Sequence, residues 1–183
     1  MHMKNKSLIL LILVLLLGEK MMANDKTIKE AVFAAGCFWG VESSFQALEG
    51  VKETTVGYTG GKVKNPSYEL VCTGITGHAE AVKVVYDASV VSYEQLLSTF
   101  FTSHDPTTLN RQGPDVGTQY RSAIYFADET ERAAAESVIE QLNESGKFSS
   151  KIVTEVTNKS DFYDAEEYHQ DYYKKRGLTG CAI

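Results

Sequence analysis

Cys37, Cys72 and Cys181 are the residues of this chain best suited to making and breaking bonds at sulfur. Cys37 follows Gly36 and precedes Phe38, Val41, Phe45 and Leu48, whose spacings of three and four mark one stripe of a helix. The thiol therefore falls at the mouth of that helix, where unpaired amide N–H groups and the positive end of the dipole favour a thiolate. A contribution of ~1 kcal/mol lowers a thiol pKa of ~8.5 by ~0.7 and raises the thiolate share at pH 7 from about 3% to about 15%. The gain is modest, so whatever the sulfur attacks must itself be activated, or a further donor must steady the sulfur anion. The competing reading is a small buried cysteine at a strand-to-helix turn, and for an isolated Cys it would prevail.

The neighbourhood weighs against it. Trp39 lies about a quarter-turn off the apolar stripe, which places it beside the thiol at the surface, able to wall a small hydrophobic pocket. Phe38 is on the stripe, and core packing alone explains it. Glu80 is the second anomaly: in an extended segment it shares a face with His78, Val82, Val84 and Tyr86, while Lys83 and Asp87 lie opposite. A carboxyl on an apolar face is pushed up from ~4.3 and becomes an available acid; at an edge it would simply reach water. Tyr68 and Tyr120 adjoin loops and can donate to a polarised oxygen without being charged, although with ten tyrosines in the chain neither is informative alone.

The elements that would hold these groups follow from periodicity and punctuation. Strands are predicted at 28–35, 51–59, 78–87, 121–127 and 151–157. Helices are predicted from Phe38 to the break at Gly50, around Tyr68 to Cys72, behind the Ser92/Gln95 capping box, from Asp128 to Glu144 before Gly146, and from Asp164 to Lys175. Between His104 and Tyr120 runs a long loop with Pro106, Gly113, Pro114 and Gly117, of the kind that carries function. Interleaved strands and helices give an α/β or α+β sandwich around a single sheet.

A chain of 183 residues, 43% hydrophobic, forms one substantial core. Residues 1–23 read as an address. Two lysines precede the unbroken apolar run Leu8 to Leu17, and Gly18 to Ala23 returns to mixed polarity. Ten apolar residues are short of the ~20 a membrane span needs, so a cleaved signal is favoured over an anchor, with export to a periplasm or the medium. Without that segment residues 24–183 carry 15 basic and 23 acidic side chains, a net charge of -8, which argues against nucleic acid as partner. Three cysteines in an exported domain are an odd count, so at least one thiol is reactive or buried.

Gly36-Cys37-Phe38-Trp39-Gly40 resembles the signature of the A-type peptide methionine sulfoxide reductases. Three further blocks are similar to that family and stand in its order: Pro66-Ser67-Tyr68 leading to Val71-Cys72, Gly77-His78-Ala79-Glu80, and the run from Gln112 to Ser122. The resemblance extends from about Glu30 to Cys181. It implies an α+β two-layer sandwich with a ferredoxin-like mixed sheet, no cofactor, and reduction of the S epimer of methionine sulfoxide, free or in proteins. It implies Cys37 as nucleophile, Glu80 as acid, Tyr68 and Tyr120 as donors to the sulfoxide oxygen, Phe38 and Trp39 as the pocket for the substrate methyl, and Asp115 as a hold on the substrate backbone.

Attack would leave a sulfenic acid on Cys37, which condenses with a second thiol. Cys181, near the end of a Gly-containing tail, is that thiol, and Cys72 reads as structural. Many relatives have Gly-Tyr-Cys and a longer tail, whereas this chain has Thr179-Gly180-Cys181, so a single resolving step is expected. The resemblance also suggests thioredoxin, or a related dithiol protein, as reductant, acting on a monomer. Two rivals come from other classes. Cys37 and His169 stand 132 residues apart, close to the ~130 to 150 of papain-like hydrolases, but no Asn follows His169 and Trp does not directly follow the Cys. A metal site from Cys72, His78, Glu80 and His104 lacks the close ligand pairs that zinc favours.

Overall fold

The computed structural model describes residues 27–178. The segment read as a signal, residues 1–23, and Cys181 lie outside the described residues. The centre of the molecule is a six-stranded mixed sheet. Its strands are β1 (Ile28–Ala35), β2 (Val51–Thr59), β3 (Ala79–Asp87), β6 (Ser122–Phe126), β7 (Glu155–Asn158) and β8 (Phe162–Asp164), in the spatial order β7-β6-β1-β3-β2-β8. All neighbours are antiparallel except β6 and β7. A two-stranded hairpin, β4 (Arg111–Gln112) and β5 (Asp115–Val116), stands apart.

The period-two alternation of strand side chains divides the sheet into two unlike faces. Phe33, Val56, Tyr58, Val82, Val84 and Ile124 build the larger core, together with α1 (Phe38–Gln46), α3 (Tyr93–Thr102) and α4 (Glu129–Ser145). Phe33 stacks on Phe45 of α1 with ring centroids 5.0 Å apart. The opposite face carries smaller residues, including Val32, Ala34, Ala79, Ala81 and Ala123, with Phe162 packed against them. The result is an α+β sandwich, the second of the two classes that the pattern left open.

Local chemistry accounts for the element ends. Ser92 and Gln95 form the expected capping box on α3, and Asp128 caps α4 through the amides of Thr130 and Glu131. Gly146 closes α4 in the left-handed conformation.

Two expectations are corrected. The strand predicted at 151–157 begins only at Glu155. The helix predicted from Asp164 to Lys175 is reduced to α5 (Tyr172–Lys175), because Phe162 to Asp164 instead join the sheet as β8 alongside Gly57 to Thr59. Residues 167–171 are turns, pinned by Gln170, whose side-chain amide bonds the backbone N–H and carbonyl of Val56. The long loop, for its part, contains the β4–β5 hairpin and a single 3-10 turn at Thr118–Tyr120.

Candidate active site

β1 runs out of the core at Ala35, the chain turns at Gly36, and Cys37 is the N-cap residue of α1. The turn demands glycine: Gly36 has φ +89°, and a Cβ there would stand 2.6 Å from the Gln112 side chain. The β4–β5 hairpin is thereby pressed against the residue before the thiol. A cleft of about 350 Å³ opens from half-exposed Cys37 along Gly40 and Ser44 of α1 to Gly113, Pro114 and Asp115 of the hairpin.

Glu80 sits near the start of β3, on the core face, with Tyr58 as its cross-strand partner. It is 2% exposed, and its Oε2 accepts the backbone N–H of Phe38 at 3.1 Å, which ties the acid to the mouth of α1. Burial drives its pKa from 4.5 up to about 7; the Phe38 amide works in the opposite direction, and the negative charge of Asp115 adds to the rise. At neutral pH about half the Glu80 population is therefore a neutral acid. One expectation is refined by this bond. The amides at the helix mouth are not all reserved for the sulfur, because the first of them is spent on Glu80.

Tyr68, the first residue of α2 (Tyr68–Cys72), and Tyr120, at the end of the 3-10 turn, both lie near enough to Glu80 to feel its charge. Burial pushes the Tyr120 phenol up to about 12, reinforced by the charges of Glu80, Cys72, Asp115 and Cys37. Tyr68 is also raised, by burial first, then by its contact with Cys72, then by Glu80 and Tyr120. Both phenols stay protonated as donors throughout the physiological range. Cys72 is exposed, and burial raises its thiol above the ordinary value although the Tyr68 hydroxyl opposes this.

The aromatic wall is more elaborate than the helical stripe suggests. Phe38 is buried at 1% exposure, as its place on the stripe implies. Trp39 is half-buried rather than a surface side chain. Its ring lies flat on Tyr172 with centroids 3.6 Å apart and planes 5° from parallel, and its Nε1–H donates to His169 Nδ1 at 3.1 Å. Arg176 covers the Tyr172 ring at 3.6 Å. His169 is 1% exposed and packs against the rings of Phe38, Tyr68 and Tyr168. With Nδ1 accepting from the indole, this imidazole is part of the wall rather than the base of a cysteine hydrolase. Glu166 fastens the same segment, accepting the Tyr68 amide at 2.9 Å and the Tyr58 hydroxyl at 2.8 Å.

The other two histidines among the described residues, His78 and His104, are absorbed into structure. His78 Nδ1 accepts the Gly61 amide and its Nε2–H donates to the Val63 carbonyl, whereas His104 bridges the Phe100 carbonyl and Ser122. Among the described residues no group of three or more His, Cys, Asp or Glu could hold a metal ion.

Cys37, Glu80, Tyr68, Tyr120 and Asp115 are thus gathered from five separate stretches of chain around one helix mouth. The model of the peptide methionine sulfoxide reductase family matches residues 29–183. The chain belongs to that family. A protein of Methanoculleus marisnigri named peptide methionine sulfoxide reductase MsrA is 54% identical over 160 residues, covering 87% of this chain and 98% of its own. Among solved structures, Mxr1 of Saccharomyces cerevisiae in reduced form superposes with a TM-score of 0.76 at 37% identity, covering 83% of this chain and 87% of that one. Mxr1 in complex with Trx2 superposes at 0.55 with 25% identity, covering 80% and 86%.

Proposed function

We propose that this chain reduces methionine sulfoxide to methionine with Cys37 as the only group that bonds to the substrate. The observation that carries the reading is Glu80, a nearly fully buried carboxyl poised at a pKa of about 7 and hydrogen-bonded to the amide next to the nucleophile. A sulfoxide sulfur is a poor electrophile until its oxygen is protonated or strongly hydrogen-bonded. Glu80 supplies the proton, and the Tyr68 and Tyr120 hydroxyls donate to the same oxygen. The Cys37 thiolate bonds to the sulfur, the protonated oxygen leaves as hydroxide, and hydroxide adds to the Cys37 sulfur, breaking its bond to the substrate so that methionine leaves and a sulfenic acid remains on Cys37. Two electrons pass from the cysteine sulfur to the sulfoxide, and Glu80 regains its proton from the solvent that took up the Cys37 proton when the thiolate formed.

The S epimer is the expected substrate, the methyl group lying against Phe38 and Trp39 and the backbone held by Asp115. Cys181 then condenses with the sulfenic acid, releasing water and leaving a Cys37–Cys181 disulfide. A thioredoxin-like dithiol is the reductant we favour, on the strength of the yeast relative bound to Trx2. A working monomer is the assembly we favour. The two lysines and the apolar run ahead of Gly18 support an exported location.

The test is one exposure of the Cys181→Ser variant to methionine sulfoxide without reductant, read by mass spectrometry. The expected result is one added oxygen on Cys37 and one methionine per enzyme. Methionine formation by the Cys37→Ser variant would refute the proposal.

A further inference from the structure

Glu42 is a second buried carboxyl, and the chemistry proposed above makes no use of it. It lies on α1 one turn beyond Trp39 and is 2% exposed. Burial raises its pKa above the ordinary carboxylate value, opposed by hydrogen bonds from the backbone amides of Asp171 and Tyr172 and from the Thr54 hydroxyl; the Thr54 bond measures 3.2 Å. A buried carboxyl is costly unless its oxygens are satisfied, so a specific arrangement has to hold it.

The arrangement is a ladder between one side of α1 and the segment 169–172. Trp39, Glu42 and Gln46 stand three and four residues apart and so share a helix face. Trp39 takes the first rung, through His169 and Tyr172. Glu42 takes the second, accepting the Thr54 hydroxyl at 3.2 Å, the same hydroxyl that Gln46 reaches, with the Asp171 and Tyr172 amides favouring its charged form. Gln46 takes the third, donating to Asp171 Oδ1 at 2.7 Å and to Thr54 Oγ1 at 2.9 Å. Asp171 is held at φ +51°, a left-handed conformation that aspartate tolerates only with local hydrogen bonding to support it. Immediately after it comes the ring on which Trp39 lies.

We propose that Glu42 is a positioning residue for the substrate pocket. By fixing the Asp171–Tyr172 backbone it sets the Tyr172 ring, and through that ring the angle of the Trp39 wall beside Cys37. The proposal rests on the methionine sulfoxide reading for its kinetic consequence, because misplacing a binding wall by a fraction of an ångström weakens a substrate that has to meet the sulfur in line. Its structural consequence is independent of that reading.

The test uses Glu42→Gln, which keeps the side-chain length but turns an amide NH2 toward one of the two backbone N–H groups. Trp39 is the only tryptophan in the chain, so its fluorescence reports the wall directly. The expected result is a shifted Trp39 emission and an about tenfold loss in single-turnover efficiency with methionine sulfoxide, mostly through weaker substrate binding. In a Tyr172→Leu background the same Glu42→Gln change should alter neither readout further, because its route of action has been removed. Wild-type emission and kinetics in Glu42→Gln, or a full additive effect on top of Tyr172→Leu, would overturn the assignment. A wild-type protein inert toward methionine sulfoxide would instead sink the proposed reaction, and the emission comparison would still decide the role of Glu42.

Discussion

Replacing Glu80 by Gln should make the protein more stable at alkaline pH while it loses its reaction, and the size of both effects can be worked out. Glu80 titrates at 4.5 when exposed and at about 7 in the folded chain. Folding therefore binds a proton between those values, and the stability that the neutral carboxyl permits is intact below pH 4.5 and lost as pH rises through 7. Complete ionisation costs about 3 kcal/mol, and the part incurred between pH 5 and pH 8 is about 2.5 kcal/mol. Glutamine keeps a carbonyl oxygen for the Phe38 amide and cannot ionise. Urea unfolding of both proteins at several pH values is the assay, because every other titrating group cancels in the difference. The stability gap should widen in favour of the Gln variant by about 2.5 kcal/mol from pH 5 to pH 8, while its single-turnover rate falls about 100-fold. A gap that stays flat with pH would show that Glu80 is not held as a buried acid, and the mechanism would lose its proton donor.

Tyr120→Phe removes one donor to the substrate oxygen and should slow methionine release about 100-fold, with no change in the pH at which the rate begins to fall. Unaltered rates would remove this phenol from the reaction. Gly36→Ala forces a Cβ into the Gln112 side chain at a positive φ. It should cost about 1–3 kcal/mol in urea denaturation and lower turnover as well, since the β4–β5 hairpin must retreat from the thiol. Cys72→Ser leaves a hydroxyl within reach of Tyr68, so turnover with a dithiol reductant should stay within about twofold of wild type. A collapse of turnover there would mean that Cys72 takes part in recycling.

The parts of the site that lie on long periodic segments are legible in the amino-acid sequence. Cys37 can be placed because a clean stripe of Phe38, Val41 and Phe45 begins directly after a glycine. Glu80 can be placed because the alternation of β3 puts it on the face of Val82 and Val84. The segment from Asp164 to Lys175 misleads, since its composition suits a helix and its fate is decided by pairing with β2, a contact more than a hundred residues away in sequence. The positions of His169 and Tyr172 depend on that same pairing. Their role as the backing of Trp39 is a tertiary fact with no local signal, as is the anchoring of Glu166 on Tyr58 and Tyr68. Glu42 gives no local signal either, because a glutamate between two apolar helix positions looks solvated until the segment that covers it is known.

The bond between Phe38 and Glu80 bears on how a thiolate and an acid can work side by side in a buried place. In the proposed reaction, the negative charge resides on Cys37 before attack and Glu80 is neutral. After proton transfer the sulfur is bonded to the substrate and the charge resides on Glu80. One negative charge is present throughout, and it moves from the N-cap of α1 to a carboxylate that already accepts the first amide of the same helix. The dipole of α1 and the Phe38 N–H therefore meet the charge where it arrives, without solvent having to reorganise. A carboxylate beside the thiolate would repel it if both were ionised, and burial limits this by raising the Glu80 pKa to about 7, so that about half of the population is neutral at pH 7. The raised pKa and the amide bond that opposes it are two requirements of one device: the first keeps the acid neutral until it is needed, and the second makes its anion acceptable once the proton has gone.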